Sequence, residues 1–185
     1  MERIGLLGKK GSGKDTLADY LVNTNGFVKY SFAKPVKDIS KILFNLSEEQ
    51  LYGNLKETID DKIGLSPRVI FQRLGTEFGQ DLIYKLFPEL KLKIKKKYIW
   101  LRLFDLFLEK NKDKNIVIAD VRFVHEINYL KIINFNIIKI NRKDSLMDNH
   151  VSEKQNDLYY DFNIENNDSK EDLFSKYNNF IYNPF

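Results

Sequence analysis

The feature that most constrains this chain is a run of glycines and a lysine set between an apolar strand and an amphipathic helix. Gly8-Lys9-Lys10-Gly11-Ser12-Gly13-Lys14 follows Ile4-Gly5-Leu6-Leu7. Leu17, Ala18 and Leu21 then recur on one face of a helix expected over 14–22. Glycines let the main chain wrap a phosphate and turn its N–H groups inward. The helix start adds the positive end of its dipole. Lys14 can then bridge the β- and γ-phosphates of a nucleotide. The run fits the phosphate-loop pattern up to its lysine, and it assigns Gly11, Ser12, Gly13, Lys14, Asp15 and Thr16 to a donor nucleotide. The usual hydroxyl after the lysine is replaced by Asp15 and comes one place later, at Thr16. Asp15 is either an outer partner of a magnesium ion, through water, or a first-turn acid favoured by the helix dipole.

The rest of the chain repeats the alternation of strand and helix that builds a mainly parallel sheet with helices on its faces. Strands are expected at 4–7, 28–31, 115–119 and 137–140, and helices at 37–44, 66–79, 100–109 and 124–132. Ser47 with Gln50 and Ser169 with Asp172 are capping boxes, and Ser66-Pro67 is a helix start. The 185 residues suit a single domain, expected to begin with the chain at Met1. The absence of cysteine excludes disulfides, thiolate zinc sites and a cysteine nucleophile. No cleavable leader or bilayer-length apolar run is evident, so a cytoplasmic chain without a membrane partner is expected. The net charge of +4 suits a polyphosphate pocket. The densest basic stretch, K-L-K-I-K-K-K at 91–97, reads as a solvated face, with no accompanying nucleic-acid signature.

Two further constellations carry chemistry. I-V-I-A-D at 116–120 is a buried strand ending in an acid, followed by Arg122 and Glu126. Ligands of such sheets gather at the carboxyl ends of the strands, so Asp120 can hold a magnesium water and Arg122 can fork onto a phosphate. The competing role for Arg122 is an ion pair with Glu126. On the helix from Ser66, the residues Arg68, Gln72, Gly75 with Thr76, and Gly79 recur at helical spacing, opposite Ile70, Phe71, Leu74 and Phe78. One cation, one amide, one hydroxyl and two glycines make poor core, and suit a pocket for a second, acceptor nucleotide. A nucleotide phosphate is already ionised near neutral pH, so no general base is required and neither His125 nor His150 is given a catalytic role.

With these residues in place the chain resembles the bacteriophage-type deoxynucleoside monophosphate kinases over nearly its whole length. The matching pieces are G-K-K-G-S-G-K-D-T-L-A-D, V-K-Y-S-F-A-K-P-V-K-D, Lys56-Glu57, S-P-R-V-I-F-Q-R-L-G-T-E, Trp100, D-V-R-F-V-H-E, Asn141-Arg142 and H-V-S-E. The resemblance implies a three-layer α/β/α P-loop kinase fold, with an acceptor-binding helical region at about 34–80 and a lid at about 141–156. It implies ATP with Mg2+ as phosphoryl donor. It places Lys37, Lys56, Arg68, Gly75, Thr76, Trp100, Asp120, Arg122 and Glu126 around a deoxynucleoside monophosphate, and Arg142 at the lid. The implied reaction turns a deoxynucleoside monophosphate and ATP into the diphosphate and ADP, with no stable nucleic-acid partner; a homodimer is compatible with it. The departures are a short middle region and a lysine at 56 where an arginine can occur. The alternatives are another small-molecule P-loop kinase, of coenzyme-precursor or phosphomevalonate type, or a non-catalytic nucleotide- or DNA-binding P-loop protein.

Overall fold

A computed structural model describes residues 1–90, 98–143 and 159–182. The basic stretch at 91–97, His150 and all of the expected lid beyond residue 143 lie outside the described residues. The chain forms two compact units, Met1–Ser31 with Asn111–Phe185, and Phe32–Lys110.

The first unit is a five-stranded parallel sheet with helices on its faces. Its strands are β1 (Arg3–Leu7), β2 (Val28–Tyr30), β3 (Ile116–Ile118), β4 (Asn136–Asn141) and β5 (Phe162–Glu165). They lie in the order β2-β3-β1-β4-β5, all neighbours parallel. Parallel strands buried on both faces read as continuous apolar runs, and Ile116, Val117 and Ile118 are wholly buried. One face, carrying Ile4, Leu6, Val117, Ile138 and Ile140, packs on Leu17, Ala18 and Leu21 of helix α1 (Lys14–Asn25). The same core takes in Leu173 and Tyr177 of the last helix, Lys170–Tyr182. The other face, at Gly5 and Ile137, meets Val121 and Leu130, the latter on the helix Val124–Ile132. Three layers result, as expected.

The edge strand β5 escapes sequence reading. Only Ile164 of its four residues is buried, so it carries almost no period-two signal. Asp161 anchors its start: the carboxylate accepts from the Ile137 N–H at 2.7 Å, from Lys131 Nζ at 2.5 Å and from the Tyr159 hydroxyl at 3.1 Å.

The second unit is helical. It holds α2 (Ala33–Phe44), α3 (Glu48–Tyr52), a 3-10 turn (Asn54–Glu57), α4 (Pro67–Gln72), α5 (Ile83–Leu86) and α6 (Ile99–Lys110). The last two described helices of the chain, in the first unit, are α7 (Val124–Ile132) and α8 (Lys170–Tyr182). The capping box at Ser47 forms in full, with the Ser47 N–H donating to Gln50 Oε1 at 2.9 Å and Gln50 N–H to Ser47 Oγ at 3.3 Å. Leu46, Leu51 and Ile70 make a small core, lined by Phe44, Ile63, Leu65, Phe71 and Leu74.

The helix expected at 66–79 departs from α geometry. It starts at Pro67 and runs as α4 to Gln72, but continues as a π-helix from Arg73 to Leu82 before regaining α geometry in α5. Hydrogen bonds from residue i to i+5 enclose an extra residue per ring, so positions beyond 73 no longer follow the α-helical stripe. Trp100 accompanies the widening. Its indole N–H donates to the Gly75 carbonyl at 2.7 Å, and its ring lies where a side chain at Gly79 would be. A Cβ on Gly79 would come within 2.3 Å of the indole, so this glycine is required by Trp100.

Gly79→Ala is therefore expected to destabilise the protein by about 1–3 kcal/mol through overpacking. Trp100 is the chain's one tryptophan, so urea unfolding followed by its fluorescence reads the effect directly. An unchanged midpoint and emission maximum would contradict the packing described.

Candidate functional site

The phosphate loop is shaped by backbone conformations that only glycine adopts easily. Gly13, at the N-cap of α1, has φ 106°, in the left-handed region. No side-chain hydrogen bond caps α1, and the positive end of its dipole favours an anion there. Lys14 folds back over the loop: Nζ donates to the carbonyls of Gly8 and Lys9, both at 2.5 Å, and lies 3.4 Å from Ser12 Oγ. Ser12 is buried and Thr16 half-buried, while Gly11 is exposed. A loop with uncapped N–H donors and a cation held against its own carbonyls fits a polyphosphate, which would draw Lys14 outward.

Asp15 is exposed and pairs with Lys29 at 3.2 Å, a lysine that also reaches Asp19 at 2.9 Å. The two carboxylates outweigh partial burial and raise the Lys29 pKa above its usual value. Asp15 thus belongs to an ion cluster at the start of α1.

Asp120 follows β3 at the carboxyl edge of the sheet. The Ser31 hydroxyl, just after β2, donates to its Oδ2 at 2.7 Å. Sequence reasoning assigns Ser31 no role; the available signal is a hydroxyl immediately after a strand, at the edge where parallel sheets bind ligands.

Glu126 is 5% exposed and does not face outward. Its Oε2 accepts the main-chain N–H of Arg122 at 2.7 Å and of Phe123 at 3.0 Å, closing the first turn of α7. The carboxyl thus ties down the backbone that carries Arg122. Burial pushes it up to about 8, against the two N–H donors, while Asp120 pushes the same way as burial.

Arg142 leaves the end of β4 exposed, but its neighbours are laced to β5. Asn141 Nδ2 donates to Asn163 Oδ1 at 2.9 Å and Glu165 Oε1 at 3.0 Å, and the Lys143 N–H donates to Asn167 Oδ1 at 3.0 Å. The second residue missed from sequence is Asn166. It is 5% exposed, and its Nδ2 donates to the Ser12 carbonyl at 2.8 Å. It follows a strand too faint to read from sequence.

The residues expected around the acceptor divide between the units. Asp120, Arg122 and Glu126 stand in the first; Lys37, Lys56, Arg68, Gln72, Gly75, Thr76 and Trp100 stand in the second. Lys37 lies 4.1 Å from the centroid of the Tyr52 ring, and Lys56 sits on the 3-10 turn. Arg68 directs Nε at 3.0 Å and a terminal nitrogen at 2.8 Å to one oxygen of Glu57. That carboxylate is 58% exposed, so the pair is worth no more than about 1 kcal/mol and a phosphate dianion can displace it. Gln72 closes α4; Gly75 and Thr76 lie in the π segment, with Gly75 against Val36. Trp100 is 7% exposed, covering Gly79.

Known proteins resemble this chain over most of its length. A family model described as "Deoxynucleotide monophosphate kinase" matches residues 3–61 and 50–177. A protein of Acanthamoeba polyphaga mimivirus named as a deoxynucleotide monophosphate kinase is 40% identical over 182 residues, covering 95% of this chain and 94% of its own. The deoxynucleoside-5′-monophosphate kinase of Escherichia phage T5 is 25% identical over 219 residues, covering 81% of this chain and 83% of its own. Among solved structures, a shikimate kinase from Aquifex aeolicus vf5 superposes with a TM-score of 0.54 at 15% identity, covering 97% of this chain and 96% of that one, which establishes the fold alone.

The burial of Glu126 has a consequence for stability. Its folded pKa, about 8, lies above the ordinary 4.5, so between these values the folded chain binds a proton that the unfolded chain has lost. Stability must therefore fall as pH rises through that window. Glu126→Gln removes this titration, so the melting temperature of the native chain should drop relative to the variant between pH 4.5 and 8. Parallel melting curves across that range would contradict it.

Proposed function

Because this chain belongs to the deoxynucleotide monophosphate kinase family, we propose that it transfers the γ-phosphoryl group of ATP to the 5′-phosphate of a deoxynucleoside monophosphate, giving the diphosphate and ADP. The observation that carries this reading is the phosphate loop: an uncapped helix N-terminus behind a left-handed Gly13, with Lys14 folded over the loop carbonyls.

The donor's β- and γ-phosphates take the N–H groups of residues 11–16, and Lys14 exchanges its carbonyl partners for phosphate oxygens. Among the described residues no cluster of three or more acidic or histidine side chains forms a metal cage. Magnesium characteristically keeps several waters and binds substrate phosphates with one or two carboxylates, a demand that Asp120 and Asp15 suit. When bound, the ion neutralises charge between the β- and γ-phosphates.

An oxygen of the acceptor phosphate attacks the γ-phosphorus, and the bond to the β,γ-bridging oxygen breaks, leaving its electron pair on ADP. The attacking phosphate is ionised near pH 7, so no proton needs removal. The protein's part is alignment and charge stabilisation. Arg122 and Arg142 supply charge to the equatorial oxygens of the moving group. Arg68 leaves Glu57 for the acceptor phosphate, and Lys37, Lys56, Gln72, Gly75, Thr76 and Trp100 shape the acceptor's surroundings. Glu126 acts through the Arg122 backbone. Described helices include none long and apolar enough to cross a membrane. The named relatives are viral, which supports a host-cytoplasm setting.

Substitutions at two residues test the assignment. Lys14→Ala should abolish ADP formation that depends on an added deoxynucleoside monophosphate, with the melting temperature little changed; near-native turnover would remove the phosphate loop from the reaction. Arg122→Ala should lower kcat about a thousandfold, since a guanidinium at developing equatorial charge acts mainly in the transition state. Arg122→Lys should recover only part of this, because an ammonium lacks the planar fork. A destabilised Arg122→Ala enzyme with near-normal kcat would make the residue structural.

A further inference from the structure

We infer that Asn166, a residue outside every motif of the chain, is a positioning residue for the donor nucleotide. It acts by holding the Ser12 carbonyl and so aiming the Gly13 N–H at the phosphates. The inference rests on the phosphate loop being the donor site.

Three observations place the side chain. It is 5% exposed, so its amide is not a surface group that happens to touch the loop. Its Nδ2 donates to Ser12 O at 2.8 Å across 154 residues of sequence. It fills the space beside Gly13, where a Cβ would come within 2.4 Å of Nδ2. Gly13 is therefore glycine for two reasons: its φ of 106°, and the amide packed against it.

The mechanism follows from the rigidity of one peptide. The Ser12 C=O and the Gly13 N–H belong to the same planar trans unit and point in opposite directions. Fixing the carbonyl on Asn166 fixes the N–H on the far side. A glycine flanked by a left-handed turn would otherwise be free to flip that peptide, and a carbonyl turned into an anion site repels what the N–H attracts.

Asn166 is itself held. Its own N–H donates to the Asn141 carbonyl at 2.8 Å, so the residue bridges the phosphate loop and the end of β4, next to Arg142. One side chain and its backbone thus set the loop that carries Lys14 against the strand end that carries Arg142.

The test uses the full chain and equilibrium binding, of ADP and of a deoxynucleoside monophosphate each by itself, so that it does not depend on turnover. Asn166→Ala removes the donor and the packing; Asn166→Asp keeps the shape but sets an acceptor against the Ser12 carbonyl. Both are measured by calorimetry well below their melting temperatures, beside the unaltered chain. The expected result is a Kd for ADP raised about tenfold or more in both variants, the loss of one hydrogen bond that organises a charged site. The Kd for the deoxynucleoside monophosphate should change by less than about threefold on the same scale. ADP affinity equal to that of the unaltered chain, in variants that are folded but less stable, would overturn the inference and leave the donor site standing. Equal damage to donor and acceptor, or loss of the fold in both variants, would make Asn166 a stability residue and overturn it too. Failure of the unaltered chain to bind ADP would overturn the donor site itself, and this inference with it.

Discussion

In a parallel sheet every strand delivers the loop that follows it to the same edge, and the chemistry of the first unit depends on that alignment. Ile4 pairs with Val117, Leu6 with Ile138, and Ile140 with Ile164. Through these registers the phosphate loop after β1, Asp120 after β3, Arg142 after β4 and Asn166 after β5 all leave the sheet at its carboxyl edge. The pairing is held by side chains with no chemistry of their own. Ile4, Leu6, Val117, Ile138 and Ile140 are buried, each contributing about 1.5–3 kcal/mol of burial free energy.

Two amides, a carboxyl and a hydroxyl then convert strand ends into fixed geometry. Glu126 takes the N–H of Arg122, Ser31 donates to Asp120, Asn141 reaches Asn163 and Glu165, and Asn166 takes hold of Ser12. In each case a short polar side chain immobilises backbone or carboxylate beside a residue with a longer reach. Lys14, Arg68 and Arg142 are the members with the longer reach. Lys14 and Arg68 rest on groups that an anion displaces: carbonyls of the loop in one case, an exposed carboxylate in the other. The exposed Arg68–Glu57 pair is worth no more than about 1 kcal/mol, so exchanging it for a phosphate costs little.

How far the sequence carries follows from how local each cause is. The phosphate loop, the capping box at Ser47, the Ser169 cap on the Asp172 N–H and the helix start at Ser66-Pro67 are legible because glycine, serine and proline there answer constraints within a few residues. The β3 strand is legible because burial on both faces demands an unbroken apolar run. β5 is not, since an edge strand with one buried residue leaves no pattern. Asn166 inherits that silence, its role being fixed by a partner 154 residues away. The π-helix at Arg73–Leu82 is hidden for a similar reason: its sequence has ordinary helical periodicity, and Trp100, from another helix, fills the space over Gly79. The glycines on that helix read as the wall of a nucleotide pocket, but Gly79 is covered by the Trp100 indole, and a Cβ at Gly75 would meet Val36 at an ordinary 3.6 Å.

The central claim is that the phosphoryl group held by the phosphate loop is passed to a nucleotide phosphate and not to water. Phosphorus NMR of the chain with Mg-ATP and a deoxynucleoside monophosphate follows every phosphorus at once. The account predicts that the γ-resonance of ATP and the single resonance of the monophosphate decline together. Paired α- and β-resonances of a deoxynucleoside diphosphate and of ADP should rise in equal amounts, with little inorganic phosphate. Growth of inorganic phosphate with the monophosphate resonance unchanged, for every deoxynucleoside monophosphate tried, would contradict it.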